Sequence, residues 1–132
     1  MEKDTLRQRS RSKLIRVTFP GGKQICYSNA TETFIGALCE IGSDKFARIT
    51  LQSNHLPIMS QEIYPRLKNY MKPVCDGWYV NIQSSTDQKY MQLRSISDSL
   101  GLDLKVEIGD DFEILKNPKK VRRTKTKDRL RV

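Results

Sequence analysis

Residues 14–28, LIRVTFPGGKQICYS, decide the fold of this chain. Every second residue of the first part, Ile15, Val17 and Phe19, is large and apolar, which is the period of a strand with one buried side. The PGG run at 20–22 then favours a tight turn, because proline fixes φ and glycine tolerates a positive φ. The residues after it, KQICYS, return as a second strand. The stretch therefore predicts an antiparallel β-hairpin.

A helix and a closing strand are predicted directly after this hairpin. Asn29 is a suitable N-cap residue, and Glu32 occupies the third helical position of a capping box. Apolar residues recur at helical spacing up to Gly42, a natural helix end. The alternation in ARITLQ, residues 47–52, then predicts a strand. The first half is thus a ββαβ unit.

The second half of the chain repeats this order. Its first strand, YMKPV, suits a sheet edge because Pro73 has no N–H to donate. An Asp-Gly turn leads into WYVNIQ, and the following helix is capped by Ser84 or Ser85 and ends at Gly101. The sequence predicts two strands, a helix and a third strand at 70–74, 78–83, 84–101 and 102–108.

The two halves also align with each other. An offset of 55 residues matches Gly22 with Gly77 and Asn29 with Ser84. Degenerate duplication and chance similarity both explain this match, since a hairpin followed by a helix is common. Residues 52–69 are expected to form a mostly extended connection. The predicted fold class is α+β, with two ββαβ-like units, antiparallel hairpins and both helices on one face.

Charge divides the 132-residue chain into a body and two arms. Residues 1–16 carry a net charge of +4, residues 116–132 carry +8, and residues 17–115 carry −3, within a total of +9. The length fits one domain with attachments. We therefore predict a single domain at 13–115, a flexible basic arm at 1–12 and a flexible basic tail at 116–132.

Clustered Lys and Arg side chains of this kind suit binding to a polyanion, because they follow a phosphate backbone and release its counterions. A tail that only keeps the protein dissolved is the alternative. The sequence does not separate DNA from RNA. The predicted nucleic-acid-binding residues are Arg7, Arg9, Arg11, Lys13, Lys119, Lys120, Arg122, Arg123, Lys125, Lys127, Arg129 and Arg131.

Two further places on the body could meet phosphate or nucleic acid. Hydroxyl groups cluster at the start of the second predicted helix, where N–H groups and the helix dipole favour an anion. The predicted phosphate site comprises Ser84, Ser85, Thr86 and Lys89, and helix capping alone is the competing interpretation. The stretch YPRLKNYMK, residues 64–72, combines tyrosines with basic residues and could stack on bases.

The sequence offers few parts for catalysis. It has one histidine, His55, and lacks the usual nucleophile and phosphate-binding motifs, so no enzyme activity and no cofactor are predicted. Three widely spaced cysteines lack zinc spacing and favour free thiols in a reducing compartment. The sequence also lacks the apolar stretch of a secretory signal or a membrane span, so a cytoplasmic protein without membrane binding is predicted. The carboxylates Asp110, Asp111 and Glu113 are interpreted as a solvated turn rather than a metal site.

The runs IRVTFPGG, GWYVNIQSST and SDSLGLDLKVEI resemble a small uncharacterised α+β domain of bacterial restriction-modification, DNA-modification or mobile-element proteins. The resemblance covers about residues 14–108 and carries no catalytic residues. It implies a nucleic-acid context, as an accessory of a DNA-modification or defence system. The alternative function is a protein-interaction module, a subunit that docks a larger partner through the mildly acidic body. Oligomeric state stays open.

Overall fold

The computed structural model describes residues 13–53 and 55–115. They form an α+β fold of antiparallel strands and two α-helices, as the alternation and capping patterns predict. The strands are β1 (Leu14–Thr18), β2 (Gln24–Ile25), β3 (Gln52–Ser53), β4 (Leu56–Pro57), β5 (Met59–Ser60), β6 (Met71–Pro73), β7 (Tyr79–Asn81) and β8 (Lys105–Gly109). The helices are α1 (Ala30–Ile41) and α2 (Thr86–Leu100), with 3₁₀ turns at Ser43–Arg48 and Pro65–Leu67.

The helix ends follow the predicted signals. The side chain of Asn29 accepts a hydrogen bond from the backbone N–H of Glu32, and Gly42 ends α1 at φ 105°. Ser85, rather than Ser84, caps α2 in a reciprocal capping box with Gln88. Gly101 ends α2 in the left-handed conformation. Local side-chain chemistry is therefore enough to place both helices.

The strands pair across the two halves of the sequence. The first sheet has the order β2-β1-β8 and the second has the order β5-β7-β6, both antiparallel. β8, which follows α2, joins the sheet of the first half, and β5, which precedes the second half, joins the second sheet, whereas β3 pairs only with β4. The two ββαβ-like units are present in chain order, but each sheet needs a strand from both.

The closing strand predicted at 47–52 is wrong for most of its length. A 3₁₀ turn over Ser43–Arg48 occupies its start, and only Gln52 and Ser53 pair, with β4. The turn places Phe46 in the core, where its ring meets Trp78 edge-to-face at 5.6 Å between centroids. Burial of one aromatic ring therefore overrides the local alternation.

The predicted extended connection at 52–69 contains more structure than expected. Ile58 donates its backbone N–H to Leu51 and accepts from the N–H of Asn81, so it links the β3-β4 hairpin to the second sheet. Its side chain is fully buried. This segment joins the two sheets to one continuous apolar core.

Both helices pack on one face of the first sheet. α1 contacts β1 and β2, α2 contacts β8 and β1, and the helices contact each other. Beneath them, Ile15 and Val17 are fully buried. The opposite face carries Leu14 and also Cys26, which lies next to Arg16. Leu14 and Cys26 are both buried. The first sheet is therefore covered on both sides.

Candidate nucleic-acid interface

The segment after β8 covers the second face of the first sheet. We call residues 110–115 the strap. Phe112 packs against Gly109. The guanidinium carbon of Arg16 lies over the Phe112 ring, 4.3 Å from the ring centroid. At the end of the strap, Leu115 donates its backbone N–H to the carbonyl of Cys26 at 2.8 Å. The strap thus crosses from β8 to the far side of β2.

This path brings the two ends of the described body close together. Lys13 directly precedes β1, whose first residue pairs with Gly109, and Leu115 lies beside Cys26 at the outer edge of β2. Strand spacing and rise put Lys13 and Leu115 roughly 15 Å apart. The predicted basic arms are joined to the chain at these two residues and therefore attach at one side of the molecule. All predicted binding residues except Lys13 lie outside the described residues.

Lys13 and Arg16 differ in what holds them. Lys13 Nζ lies 3.5 Å from Asp87, and both side chains are exposed, a contact that solvent screens strongly. Arg16 donates to Glu107 at 2.8 Å, and both side chains are half-buried. That hydrogen bond raises the pKa of Arg16 and lowers the pKa of Glu107. Lys13 is thus available to an anion, whereas Arg16 is committed to the sheet.

The predicted phosphate site is occupied by the protein's own groups. Lys89 is buried, with 3% of the residue exposed, and its Nζ donates to Ile82 O, Ser84 O and Ser84 Oγ at 3.0, 2.6 and 3.0 Å. An ammonium has three N–H donors, so none remains for phosphate. Ser85 is the N-cap, and Thr86 is half-buried as the first helical residue. Burial lowers the pKa of Lys89. The geometry favours the capping interpretation.

Residues 66–72 carry several exposed basic side chains. Arg66, Lys68 and Lys72 are exposed and make no ion pair within the described part of the chain. Tyr70 lies among them with 42% of the residue exposed. Buried Leu67 and Met71 anchor this segment, which turns the other side chains outward. We call Arg66, Lys68, Tyr70 and Lys72 the basic patch.

Several other basic residues of the body already contact groups of the protein itself. Lys23 contacts Glu40 at 2.9 Å and Lys105 contacts Glu107 at 4.0 Å. Arg94 lies over the ring of Tyr90 and donates to its hydroxyl. Tyr64, at the edge of the predicted basic-aromatic stretch, is half-buried and donates to the carbonyl of Pro57. Arg48 is also exposed and forms no ion pair among the described residues, so the basic patch differs from the rest of the surface by grouping three such residues in one short segment.

The described carboxylates and thiols form neither a metal-binding group nor a disulfide. Asp110, Asp111 and Glu113 are exposed around the strap, and residues 13–53 and 55–115 contain no group of three His, Cys, Asp or Glu placed to hold a metal ion. Cys26, Cys39 and Cys75 form no disulfide with one another, and the thiol of Cys39 donates to the carbonyl of Val74. Burial raises the pKa of Cys26, which makes its thiolate scarce.

No family model, no curated protein and no solved structure matches this chain. Among the described helices, neither is long and apolar enough to cross a membrane.

Proposed function

We propose that this protein is a non-enzymatic nucleic-acid-binding protein whose basic arms, residues 1–12 and 116–132, grip phosphates. The observation that carries the proposal is the position of Lys13 and Leu115 at one side of the first sheet. Two basic segments attached roughly 15 Å apart can engage the same polyanion, so binding of one raises the effective concentration of the other. Phosphate contacts then dominate affinity.

The body contributes a second contact through the basic patch. Residues 13–115 hold eleven Lys or Arg against twelve Asp or Glu, so the body as a whole does not attract a polyanion. Arg66, Lys68 and Lys72 nevertheless form a local positive surface, and the exposed ring of Tyr70 offers a stacking platform for an unpaired base. We therefore expect single strands to use both arms and patch, and duplexes to use mainly the arms.

Fluorescence anisotropy with labelled duplex DNA, single-stranded DNA and RNA over a salt series tests the proposal. The full chain is compared with a 13–115 truncation whose folding is checked by circular dichroism. We expect log K to fall with log[salt] by about 0.9 for each phosphate neutralised on duplex DNA, and the truncation to lose most of the affinity. A flat salt response, or equal affinity of the truncation, overturns the proposal.

A matched pair of variants assigns the effect to the tail. Replacing Lys125 and Lys127 with Gln removes two tail charges and should flatten the duplex salt slope by about 2. The control replaces Lys23 and Lys45 with Gln, which removes the same charge from lysines that already face carboxylates on the body. The control should leave the slope nearly unchanged.

A second candidate is a subunit that docks a larger partner. The observation that favours it is a set of exposed carboxylates that make no ion pair among residues 13–53 and 55–115: Asp98, Asp103, Asp110, Asp111 and Glu113. Such a surface suits a basic partner protein. Retention of a partner by the 13–115 truncation, with nucleic-acid binding lost, would place the two functions in separate parts of the chain.

A further inference from the structure

The outer edges of the two sheets differ in how they are protected. At β2 the outward carbonyl of Cys26 accepts the hydrogen bond from Leu115. At β6 the edge carries Pro73, which has no N–H to offer another strand. β5 has only two residues. β8, with five residues, is the remaining edge of the two three-stranded sheets and has neither a proline nor a covering strand in the described part of the chain.

The hydrogen-bonding direction of β8 follows from its neighbours. Phe19 donates its N–H to Lys23, so odd-numbered residues of β1 face β2 and even-numbered residues face β8. Arg16 pairs with Glu107, which therefore turns its backbone groups toward β1. Val106 and Ile108 turn theirs outward, and neither forms a backbone hydrogen bond to any described residue. A free edge of this kind is a template for another strand.

We propose that β8 pairs antiparallel with β8 of a second copy of this chain, with the two-fold axis at Val106. Outward-facing backbone groups must meet outward-facing groups, which restricts the register to steps of two residues. Centring on Val106 places Lys105 opposite Glu107 of the second copy, and Glu107 opposite the second copy's Lys105. Centring on Glu107 would instead place two glutamates face to face.

The side chains of β8 fit this register. Lys105 has a side chain that is 72% exposed and lies 4.0 Å from Glu107 Oε2, a long contact that a lysine from a second copy can improve. On the helix-covered face, half-buried Val106 would meet its own copy, and Leu104 would lie beside Ile108. β8 is therefore complementary to itself, with opposite charges on one face and apolar contacts on the other. This favours a second copy of the chain as the strand that pairs with β8. The two first sheets would become one six-stranded sheet.

Light scattering and sedimentation of the full chain, without nucleic acid, test the pairing. We expect a mass of twice 15.3 kDa that falls toward 15.3 kDa on dilution. The measurement is made near physiological ionic strength, because each copy carries a net charge of +9 and repels the other less when screened. A mass that stays at 15.3 kDa up to sub-millimolar concentration overturns the proposal.

Two matched variant pairs locate the interface. Val106→Pro removes an outward N–H that the protomer does not use and should abolish dimers, whereas Val106→Ala trims the same side chain, keeps the N–H and should retain them. Lys105→Glu should shift dissociation to at least tenfold higher concentration, and Lys23→Glu, the same change in the residue before β2, should not. If circular dichroism shows that Val106→Pro does not fold, the Lys105→Glu variant, which changes an exposed residue, becomes the deciding test. Dimers that survive Lys105→Glu, or a folded Val106→Pro, place any association elsewhere and overturn the proposal.

Discussion

The sheet β2-β1-β8 is built around five-residue strands, whereas the strands of β5-β7-β6 have only two or three residues. The first sheet buries apolar residues on both faces. The second buries Asn81, of which 2% is exposed and whose amide nitrogen makes no hydrogen bond to a described residue. An unpaired buried donor costs stability. The comparison indicates that the first sheet is the stable centre and that the second opens more readily.

The largest expected effect comes from the same substitution in each region. Ile15 and Ile58 are both fully buried, so Ile15→Ala and Ile58→Ala delete the same atoms. We expect about 4 kcal/mol lost for Ile15 and about 2 kcal/mol for Ile58, because short strands and loops relax into a cavity more easily. Urea unfolding measures both. Equal losses would contradict the ranking of the two sheets.

Removing the buried ammonium tests the link between the second sheet and α2. Lys89→Met keeps the apolar stem but leaves the carbonyls of Ile82 and Ser84 without their donor. We expect a loss of about 1–3 kcal/mol in unfolding free energy. The control, Lys72→Met on the exposed edge strand, should stay within about 0.5 kcal/mol. If the two variants are equally stable, Lys89 does not hold β7 to the helix.

A substitution in the strap should have a smaller effect on the free energy of unfolding, and it can also be followed by the rate of Cys26 labelling. Phe112→Ala removes a half-buried ring and should cost about 1 kcal/mol. It should also speed labelling of Cys26, which the strap contacts through Leu115, as followed by peptide mass spectrometry. Ile114→Ala, which alters an exposed strap residue, is the control. Unchanged labelling of Cys26 would show that the strap does not shield that face.

The smallest effect is a pH dependence within the first sheet. The hydrogen bond from Arg16 lowers the folded-state pKa of Glu107, so the unfolded chain binds its proton first as pH falls. Its contribution to stability is therefore present above the unfolded value of about 4.5 and disappears below it. Glu107→Gln should flatten the acid limb of the stability profile. A profile parallel to that of the unchanged protein would argue against this pair.

Local features of the fold could be predicted from the sequence, and distant ones could not. The first hairpin, the caps Asn29 and Ser85 and the ends Gly42 and Gly101 depend on neighbours within a few residues. The strand with which β8 pairs depends on which distant strand has a free edge. The alternation of apolar and polar residues within β8 does not contain that information. β1 pairs with β8 over most of the length of the body.

The candidate site shows the same division. Lys89 follows hydroxyl-rich residues at a helix start, which indicates an anion site, yet it lies on the same stripe of α2 as buried Leu93 and Ile96. Its position on this stripe indicates that Lys89 is buried. The carbonyls to which its ammonium donates can be identified only from the three-dimensional structure. The basic patch was recognisable by composition, but its lack of ion pairs was not. The arms themselves remain a prediction from charge.

The pairing of β1 with β8 also sets an order of events during synthesis. Arg16 and Glu107 are 91 residues apart, and a ribosome adds about 5–20 residues per second, so β1 waits roughly 5–20 s for its partner. Until then β1 can pair only with β2, and the apolar residues beneath the helices stay partly open. The nascent chain therefore passes through a period in which one of its two five-residue strands has an unprotected edge, and chaperone binding should concentrate there.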